Sequence, residues 1–130
     1  MKMIKALLFA AVASFAVSSA AFADGDAAKG KKVFVKCKAC HVLDKEKNKV
    51  GPHLVGIIGR SIASVDGFKY SNGPDSMMAF AEGGKVWDEA TLADYLRKPK
   101  DLVKKTKMAF PGLKKDEQIA DLIAYMKSVQ

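Results

Sequence analysis

Two segments of the chain begin with a helix-capping aspartate and continue with apolar residues at helical spacing. Either Asp24 or Asp26 can cap the first, which we expect to run to about Lys36. The second begins after Asp88 and ends before Pro99, because a proline ring interrupts a helix. Both segments therefore predict amphipathic helices.

A third segment, near the C-terminus, has the clearest helical pattern. Asp116 and Glu117 lie in its first turn and Lys127 lies in its last, which matches the charge preference of the helix dipole. One apolar stripe recurs at helical spacing and consists of Ile119, Leu122, Ile123 and Met126. We therefore expect a helix over residues 116–127.

The segments between these helices show no sustained period. Residues 42–71 and 72–85 contain repeated glycines and predict loops, and residues 101–105 predict one more short helical turn. The sequence has no internal repeat and no convincing strand pattern. It therefore predicts three helices joined by long irregular connections.

The first 23 residues have the layout of a secretory signal peptide. Two lysines precede an apolar stretch over residues 6–17, and Ala21-Phe22-Ala23 matches a signal-peptidase site. The stretch is shorter than the ~20 residues of a transmembrane helix, although an uncleaved membrane anchor is the alternative. We predict a cleaved signal peptide over residues 1–23 and a single domain over residues 24–130.

The chain is basic, and its cations are nearly all lysines. Its net charge is +8, from 22 basic and 14 acidic residues, and it becomes +6 when the two lysines of the leader are removed. A lysine-rich surface favours an acidic partner. Export argues against nucleic acid, so an acidic patch on another protein is the better candidate, with simple solubility as the alternative explanation.

The most specific motif is the run Cys37-Lys38-Ala39-Cys40-His41, which is an attachment site for c-type haem. Two thiols at this spacing can form thioether bonds to both vinyl groups of one porphyrin, and the adjacent histidine then lies beneath the iron as its fifth ligand. A bare Cys-x-x-Cys pair also suits a redox dithiol or half of a zinc site. The histidine favours haem, and the two cysteines are then unavailable for a structural disulfide.

Together with further motifs in the same order, this run resembles the class I c-type cytochromes, the branch that includes mitochondrial cytochrome c and its bacterial periplasmic relatives. The resemblance covers essentially all of residues 24–130. The further motifs are Gly30-Lys31-Lys32-Val33-Phe34, Gly51-Pro52-His53-Leu54, Gly59-Arg60, Phe68-Lys69-Tyr70, Trp87, Thr91-Leu92 with Tyr95, Thr106-Lys107-Met108-Ala109-Phe110 and Asp121-Leu122-Ile123-Ala124-Tyr125-Met126-Lys127.

The resemblance implies an all-α cytochrome c fold, in which three main helices and loops wrap around one covalently attached haem. It also implies that the first and last helices cross near Gly30 and Tyr125. The connection between Tyr70 and Trp87 is longer than in the mitochondrial proteins, and residues 73–84 are the expected insertion.

Five residues are candidates for the sixth ligand of the iron, namely Met77, Met78, Met108, Met126 and His53. Met126 lies on the apolar stripe of the last helix, Met77 and Met78 lie in the insertion, and His53 follows His41 closely. The match to the family implies Met108. A thioether ligand raises the reduction potential, and two filled axial positions argue against enzymatic chemistry at the iron.

The resemblance also implies supporting roles for residues around the haem. The Pro52 carbonyl accepts a hydrogen bond from Nδ1 of His41, the Tyr95 hydroxyl lies near the Met108 sulfur, and Thr106 anchors that loop. Three residues hold the haem propionates, namely Arg60, Tyr70 and Trp87. Trp87 and Tyr95 are also candidates for apolar core positions in which the polar atom of the ring is hydrogen-bonded, and this is compatible with the roles that the resemblance implies.

The expected function is that of a soluble, monomeric periplasmic carrier of single electrons, which uses haem c and is not an enzyme. Its partners would be quinol–cytochrome c reductase, an oxidase, a reaction centre or a periplasmic dehydrogenase or reductase, with no nucleic acid and no stable membrane insertion. The lysines that could surround the exposed haem edge and steer docking are Lys36, Lys38, Lys49, Lys100, Lys104, Lys105, Lys107, Lys114 and Lys115.

Two other classes of protein compete with this interpretation. One is an enzyme or sensor with a five-coordinate haem, although gas-binding cytochromes of the four-helix type carry the motif near the C-terminus and this chain carries it near the N-terminus. The other is a thiol–disulfide oxidoreductase that uses Cys37 and Cys40, which would need a strand before the motif.

Overall fold

The computed structural model describes residues 11–14 and 24–130, and the proposed signal peptide lies mostly outside these ranges. The described part contains five α-helices and no strand, with a single isolated bridge between Ser61 and Val86. The helices are α1 (Ala27–Phe34), α2 (Met77–Phe80), α3 (Glu89–Arg97), α4 (Pro99–Leu102) and α5 (Asp116–Ser128). Helices α1, α3 and α5 are the three main helices.

The helix starts follow from short polar side chains that accept hydrogen bonds from the first turn. The Asp26 carboxylate accepts from the backbone N–H groups of Ala28 and Lys29, at 2.8 and 3.1 Å. Asp88 accepts from the N–H of Thr91 at 2.7 Å, as the sequence predicts. These bonds use donors that a helix N-terminus otherwise leaves without partners.

Two helix boundaries and one additional helix differ from the sequence-based predictions. Helix α1 ends at Phe34 and continues as turns through residue 40, rather than as helix to Lys36. The short helix predicted at 101–105 begins two residues earlier, because Pro99 occupies its first position, where the missing N–H has no cost. Helix α2 was not predicted, since four residues capped by Ser76 show no period.

Helices α1 and α5 pack against each other at Gly30, and no side chain larger than hydrogen fits there. A Cβ atom on Gly30 would collide with the backbone carbonyl of Asp121 and would lie 2.8 Å from Cβ of Tyr125. The Asp121 carboxylate, which is 6% exposed, accepts a 2.7 Å hydrogen bond from the backbone N–H of Asp26. Phe34 and Tyr125 also pack with ring centroids 5.6 Å apart.

The core lies between α3, α5 and the irregular segments, and it is apolar. Its most deeply buried side chains are Ile119, Leu122 and Val103. The backbone of Leu113, just before α5, donates to the carbonyl of Leu96 at 2.8 Å and holds α3 beside α5. Within 11–14 and 24–130, no helix has the length and hydropathy to cross a bilayer.

We predict that Gly30→Ala destabilises the protein, although alanine favours a helix by up to ~1 kcal/mol over glycine. The added methyl group meets backbone atoms of α5 that cannot rotate away, so we expect a net loss of ~1–3 kcal/mol. Denaturant unfolding followed by circular dichroism measures this loss. The exposed Lys31→Ala on the same helix is the control and should stay within ~0.5 kcal/mol of the parent. A Gly30→Ala protein as stable as this control would contradict the close crossing.

Candidate functional site

The Cys-x-x-Cys-His run forms the turns that follow α1. The backbone N–H groups of Cys40 and His41 both donate to the Cys37 carbonyl, at 3.1 and 3.0 Å. These bonds fold the run into a compact loop, so that both sulfur-bearing residues and the histidine line one cavity. Neither cysteine forms a disulfide within the described chain.

This cavity brings together the Cys-x-x-Cys-His run and residues from distant parts of the chain. Its volume is 260 Å³, whereas a single water needs only ~15 Å³. The lining is mostly apolar and aromatic, which suits a large flat hydrophobic group better than a cluster of waters. The apolar lining residues include Phe34, Leu54, Ile57, Phe68, Tyr70, Met77, Trp87, Leu92, Tyr95, Leu96, Met108, Phe110, Leu122 and Met126.

His41 is held in one orientation and one protonation pattern. Its Nδ1 lies 2.7 Å from the Pro52 carbonyl oxygen, and because that oxygen can only accept, Nδ1 carries the proton. Burial lowers the pKa of His41, while the bond to Pro52 opposes this shift and the charges of Arg60 and Lys49 add to it. The ring is therefore neutral at neutral pH, with the Nε2 lone pair available to a metal. The Gly51 backbone packs so closely on the imidazole that a Cβ atom there would overlap it.

The loop over residues 105–110, here called the Met108 segment, is fixed by a hydrogen-bonded pair of side chains. The Tyr95 hydroxyl and Thr106 Oγ1 lie 2.6 Å apart, and the same Oγ1 accepts from the backbone N–H of Met108 at 3.3 Å. Burial raises the pKa of Tyr95 and outweighs the opposing bond to Thr106, so the phenol stays protonated. Tyr95 thus reaches Met108 through Thr106.

Arg60 and Tyr70 line the cavity as half-buried polar groups. Arg60 donates from Nη1 to the carbonyls of His53 and Val55, both at 3.0 Å, while its buried Nε–H has no partner within the described residues. Burial lowers the pKa of Arg60, and the Tyr70 hydroxyl accepts from the N–H of Val65 at 3.2 Å. A buried donor without an acceptor fits an anionic group that enters the cavity.

Trp87 is placed by the backbone pairing next to the isolated bridge. Its backbone N–H donates to the Arg60 carbonyl at 2.9 Å, and its backbone carbonyl accepts from the N–H of Gly59 at 2.7 Å. Its ring packs at 5.0 Å from Tyr95 and at 6.1 Å from Phe80. All the residues expected at the site by sequence analysis therefore line this one cavity.

The remaining sixth-ligand candidates divide by position. Met77 and Met126 line the cavity and are 8% and 3% exposed. Met78 is 44% exposed, and neither it nor His53 is among the lining residues. No pattern in the sequence predicts a cavity position for Met77. Its backbone N–H donates to Ser71 Oγ, in the loop before α2, at 2.8 Å, and this bond fixes the residue there.

Comparison with known proteins agrees with this geometry. The profile of the family described as cytochrome c matches residues 27–130. The chain is 45% identical over 128 residues to cytochrome c-554 of Methylosinus trichosporium, with 97% of this chain and 92% of that protein covered. It is 46% identical over 102 residues to cytochrome c-550 of Ancylobacter novellus, with 78% and 92% covered.

The chain belongs to the cytochrome c family. Cytochrome cH from Methylobacterium extorquens has the same fold, with a TM-score of 0.69, 43% identity, and coverage of 80% of this chain and 99% of that chain. Members of the family carry iron in a covalently bound haem c, and they transfer electrons rather than act as enzymes. The apolar cavity, the paired cysteines and the unpartnered Arg60 Nε–H fit a haem with its two propionates.

Sequence reasoning missed the contacts that join the Met108 segment to the rest of the cytochrome fold. Lys107 Nζ donates to the Lys69 carbonyl at 2.7 Å, and the Lys105 N–H donates to the Asp75 carbonyl at 2.9 Å. Both are bonds from one loop to the backbone of another. No sequence pattern signals them, because any residue supplies a carbonyl.

We predict that Tyr95 and Thr106 act as a coupled pair. Thr106→Val leaves the buried Tyr95 hydroxyl and the Met108 N–H without partners, at a cost of ~1–3 kcal/mol. Tyr95→Phe alone and the double variant complete a thermodynamic cycle, measured by denaturant unfolding of the haem-containing protein. The double variant should lose less than the sum of the single losses. Additive losses would show that the two groups do not interact.

Proposed function

We propose that the mature chain, residues 24–130, is a periplasmic single-electron carrier whose haem is attached at Cys37 and Cys40 and ligated axially by His41 and Met108. The observation that supports this most directly is that one apolar cavity is lined both by the Cys-x-x-Cys-His turn and by the Met108 segment, which are far apart in sequence. Haem c, when bound, supplies an iron centre that takes up and returns one electron.

In this proposal His41 would hold the iron of the haem through Nε2. The Pro52 carbonyl fixes its tautomer, so that Nε2 presents a lone pair without a rearrangement of the ring. The 2.7 Å hydrogen bond also increases the donor strength of the imidazole. Because Gly51 packs on the ring, the imidazole cannot swing between positions when the charge at the site changes.

Met108 would hold the iron of the haem through its thioether sulfur. Its thioether is soft and neutral, favours the reduced iron and therefore raises the reduction potential. The bond from its own N–H to Thr106, and the bond from Thr106 to Tyr95, hold the backbone of this ligand in place. Fixed ligands on both sides keep the structural change on electron transfer small.

Arg60, Tyr70 and Trp87 hold the haem propionates in this proposal. The Arg60 Nε–H is the buried donor that lacks a partner, and carboxylates buried beside it would be paired rather than isolated. Burial raises the pKa of Tyr70, which keeps its hydroxyl available as a neutral donor at neutral pH. Trp87 is 6% exposed, so its indole lies inside the cavity wall.

The lysine surface supports docking to acidic redox partners such as a quinol–cytochrome c reductase, an oxidase, a reaction centre or a periplasmic dehydrogenase or reductase. Lys36 and Lys107 line the cavity. Neither of them is among the lysines that form ion pairs within the described residues, which are Lys29, Lys98 and Lys127. Positive charge near the site would steer association. We propose that the carrier acts as a monomer.

The predicted signal peptide supports the periplasmic part of the proposal. The match to cytochrome c-554 covers 97% of this chain, which is more than residues 24–130 alone provide. That similarity therefore extends into the predicted signal peptide, with its lysines, apolar stretch and Ala21-Phe22-Ala23 site. Covalent haem attachment at such motifs also takes place outside the cytoplasm.

The pKa of Cys37 argues against a thiol–disulfide oxidoreductase, in which this residue would be the nucleophile. Such enzymes lower the pKa of the attacking cysteine. Here burial raises the pKa of Cys37, the nearby Cys40 raises it further, and Lys36 opposes this only in part. The thiol pair is therefore poorly suited to exchange and well placed for attachment.

We predict that Met108→Ala abolishes the weak visible band that arises from sulfur bound to ferric iron. Removal of the thioether also opens one axial position, so the reduced variant should bind carbon monoxide. An absorption spectrum of purified protein measures both changes. Pigment that stays with the polypeptide after acid–acetone extraction verifies that haem is still attached.

The methionines of the insertion and of α5 provide controls for this experiment. Met78→Ala changes an exposed residue, and Met77→Ala and Met126→Ala change two others that line the cavity. All three should retain the band. Its survival in Met108→Ala, or its loss in Met77→Ala alone, would refute the proposed ligand.

We predict that Lys36→Gln slows electron transfer to an acidic partner at low ionic strength and weakens its salt dependence. Steering by surface charge raises association rates by roughly 10- to 1000-fold in total, and this variant removes one exposed charge beside the cavity. Stopped-flow kinetics with an oxidase, over a range of salt, measures the effect. Lys29→Gln is the control, because Lys29 pairs with Glu117 at 3.7 Å and does not line the cavity. Equal rates for the two variants would remove the steering argument.

A further inference from the structure

The chain contains two asparagines, and one of them, Asn72, is followed by Gly73 in a dipeptide that no part of the proposed function uses. Asn72 and Gly73 are exposed and precede α2. The Gly73 N–H donates to Oδ1 of Asn72 at 2.8 Å, so the side-chain amide lies against the next backbone nitrogen. We propose that Asn72 is a site of spontaneous deamidation, which converts it to aspartate or isoaspartate.

The reaction needs no oxidant and no partner molecule other than water. The deprotonated Gly73 nitrogen attacks Cγ of Asn72, a new N–Cγ bond forms, and the Cγ–Nδ2 bond breaks with the release of ammonia. Water then opens the five-membered imide at either carbonyl. One opening leaves aspartate, and the other moves the backbone onto the side-chain carbon and leaves isoaspartate.

The local structure leaves this nitrogen accessible. Gly73 has a φ of +85°, and no atom lies within 4 Å of the position that a Cβ would take. Glycine adopts such a conformation without cost and presents no side chain to hinder ring closure. The only hydrogen bond that the Gly73 N–H makes within residues 24–130 is the one to the Asn72 side chain.

Asn48 provides a control within the same molecule. Its Oδ1 accepts from the N–H of His53 at 3.0 Å, and its Nδ2 donates to the Asp66 carbonyl at 3.0 Å. Both ends of this amide are occupied, and the backbone N–H of the next residue, Lys49, donates to the Gly51 carbonyl at 3.0 Å. We therefore expect Asn48 to stay intact under conditions that modify Asn72.

The Asn72-Gly73 dipeptide lies between two contacts that hold the Met108 segment. Before it, the Lys69 carbonyl accepts from Lys107 Nζ at 2.7 Å, and after it, the Asp75 carbonyl accepts from the Lys105 N–H at 2.9 Å. Deamidation adds one negative charge between these contacts, next to exposed lysines. If the proposed function holds, this charge opposes docking to an acidic partner.

The chemistry is tested by ageing the purified haem-containing protein at mildly alkaline pH. Peptide mapping, with labelling by isoaspartate methyltransferase, should find modification at Asn72 and none at Asn48. Asn72→Gln should lose the label completely, because its longer side chain closes a less favourable ring. An unmodified Asn72, after an interval that deamidates a synthetic peptide of residues 69–77, would overturn the proposal, as would equal modification of Asn48.

The consequence for docking is tested separately with Asn72→Asp and Asn72→Gln. The aspartate variant should react more slowly with an acidic partner at low salt, and the two rates should converge as salt rises. Equal rates at low salt would overturn the electrostatic consequence. The labelling result does not depend on electron transfer, so failure of the carrier function and failure of the deamidation site remain distinguishable.

Discussion

Much of the apolar core of this protein borders a cavity of 260 Å³, so the group that fills the cavity contributes to the stability of the fold. Cavities in protein cores cost roughly 24 cal/mol per Å³, which amounts to on the order of 6 kcal/mol here. Small domains have a total stability of only ~5–15 kcal/mol. The haem of a cytochrome c is therefore part of the core as well as the redox centre, and the proposed attachment at Cys37 and Cys40 would keep it in the chain.

The wall of the cavity is held by contacts that leave little freedom to its polar groups. Gly30 allows α1 and α5 to pack with their backbones in contact, and α1 is the helix that directly precedes the cysteine motif. His41 is bonded to Pro52, and the backbone of Met108 is bonded to Thr106. A site of this kind suits electron transfer, because ligands that stay in place when the charge changes require little reorganisation.

Local features could be read from the sequence wherever a short motif carries its own physical reason. Asp88 caps α3 because its carboxylate reaches the N–H of Thr91, and the stripe on α5 is buried as its spacing predicts. Helix α2 and the cavity position of Met77 were missed. Four helical residues show no period, and Met77 is placed by the hydroxyl of Ser71, a contact with no sequence signature.

The sequence by itself determined the haem attachment motif, the capped helices and the family, since each depends on residues close together in the chain or on motifs in a fixed order. Only the tertiary structure decided which groups far apart in the chain meet. The Tyr95–Thr106 pair and the bond from Lys107 to Lys69 join residues that packing brings together, and packing also leaves the buried Arg60 Nε–H without a partner among the described residues. Such contacts depend on where backbone carbonyls and hydroxyls come to lie in space, and residue type alone does not specify this.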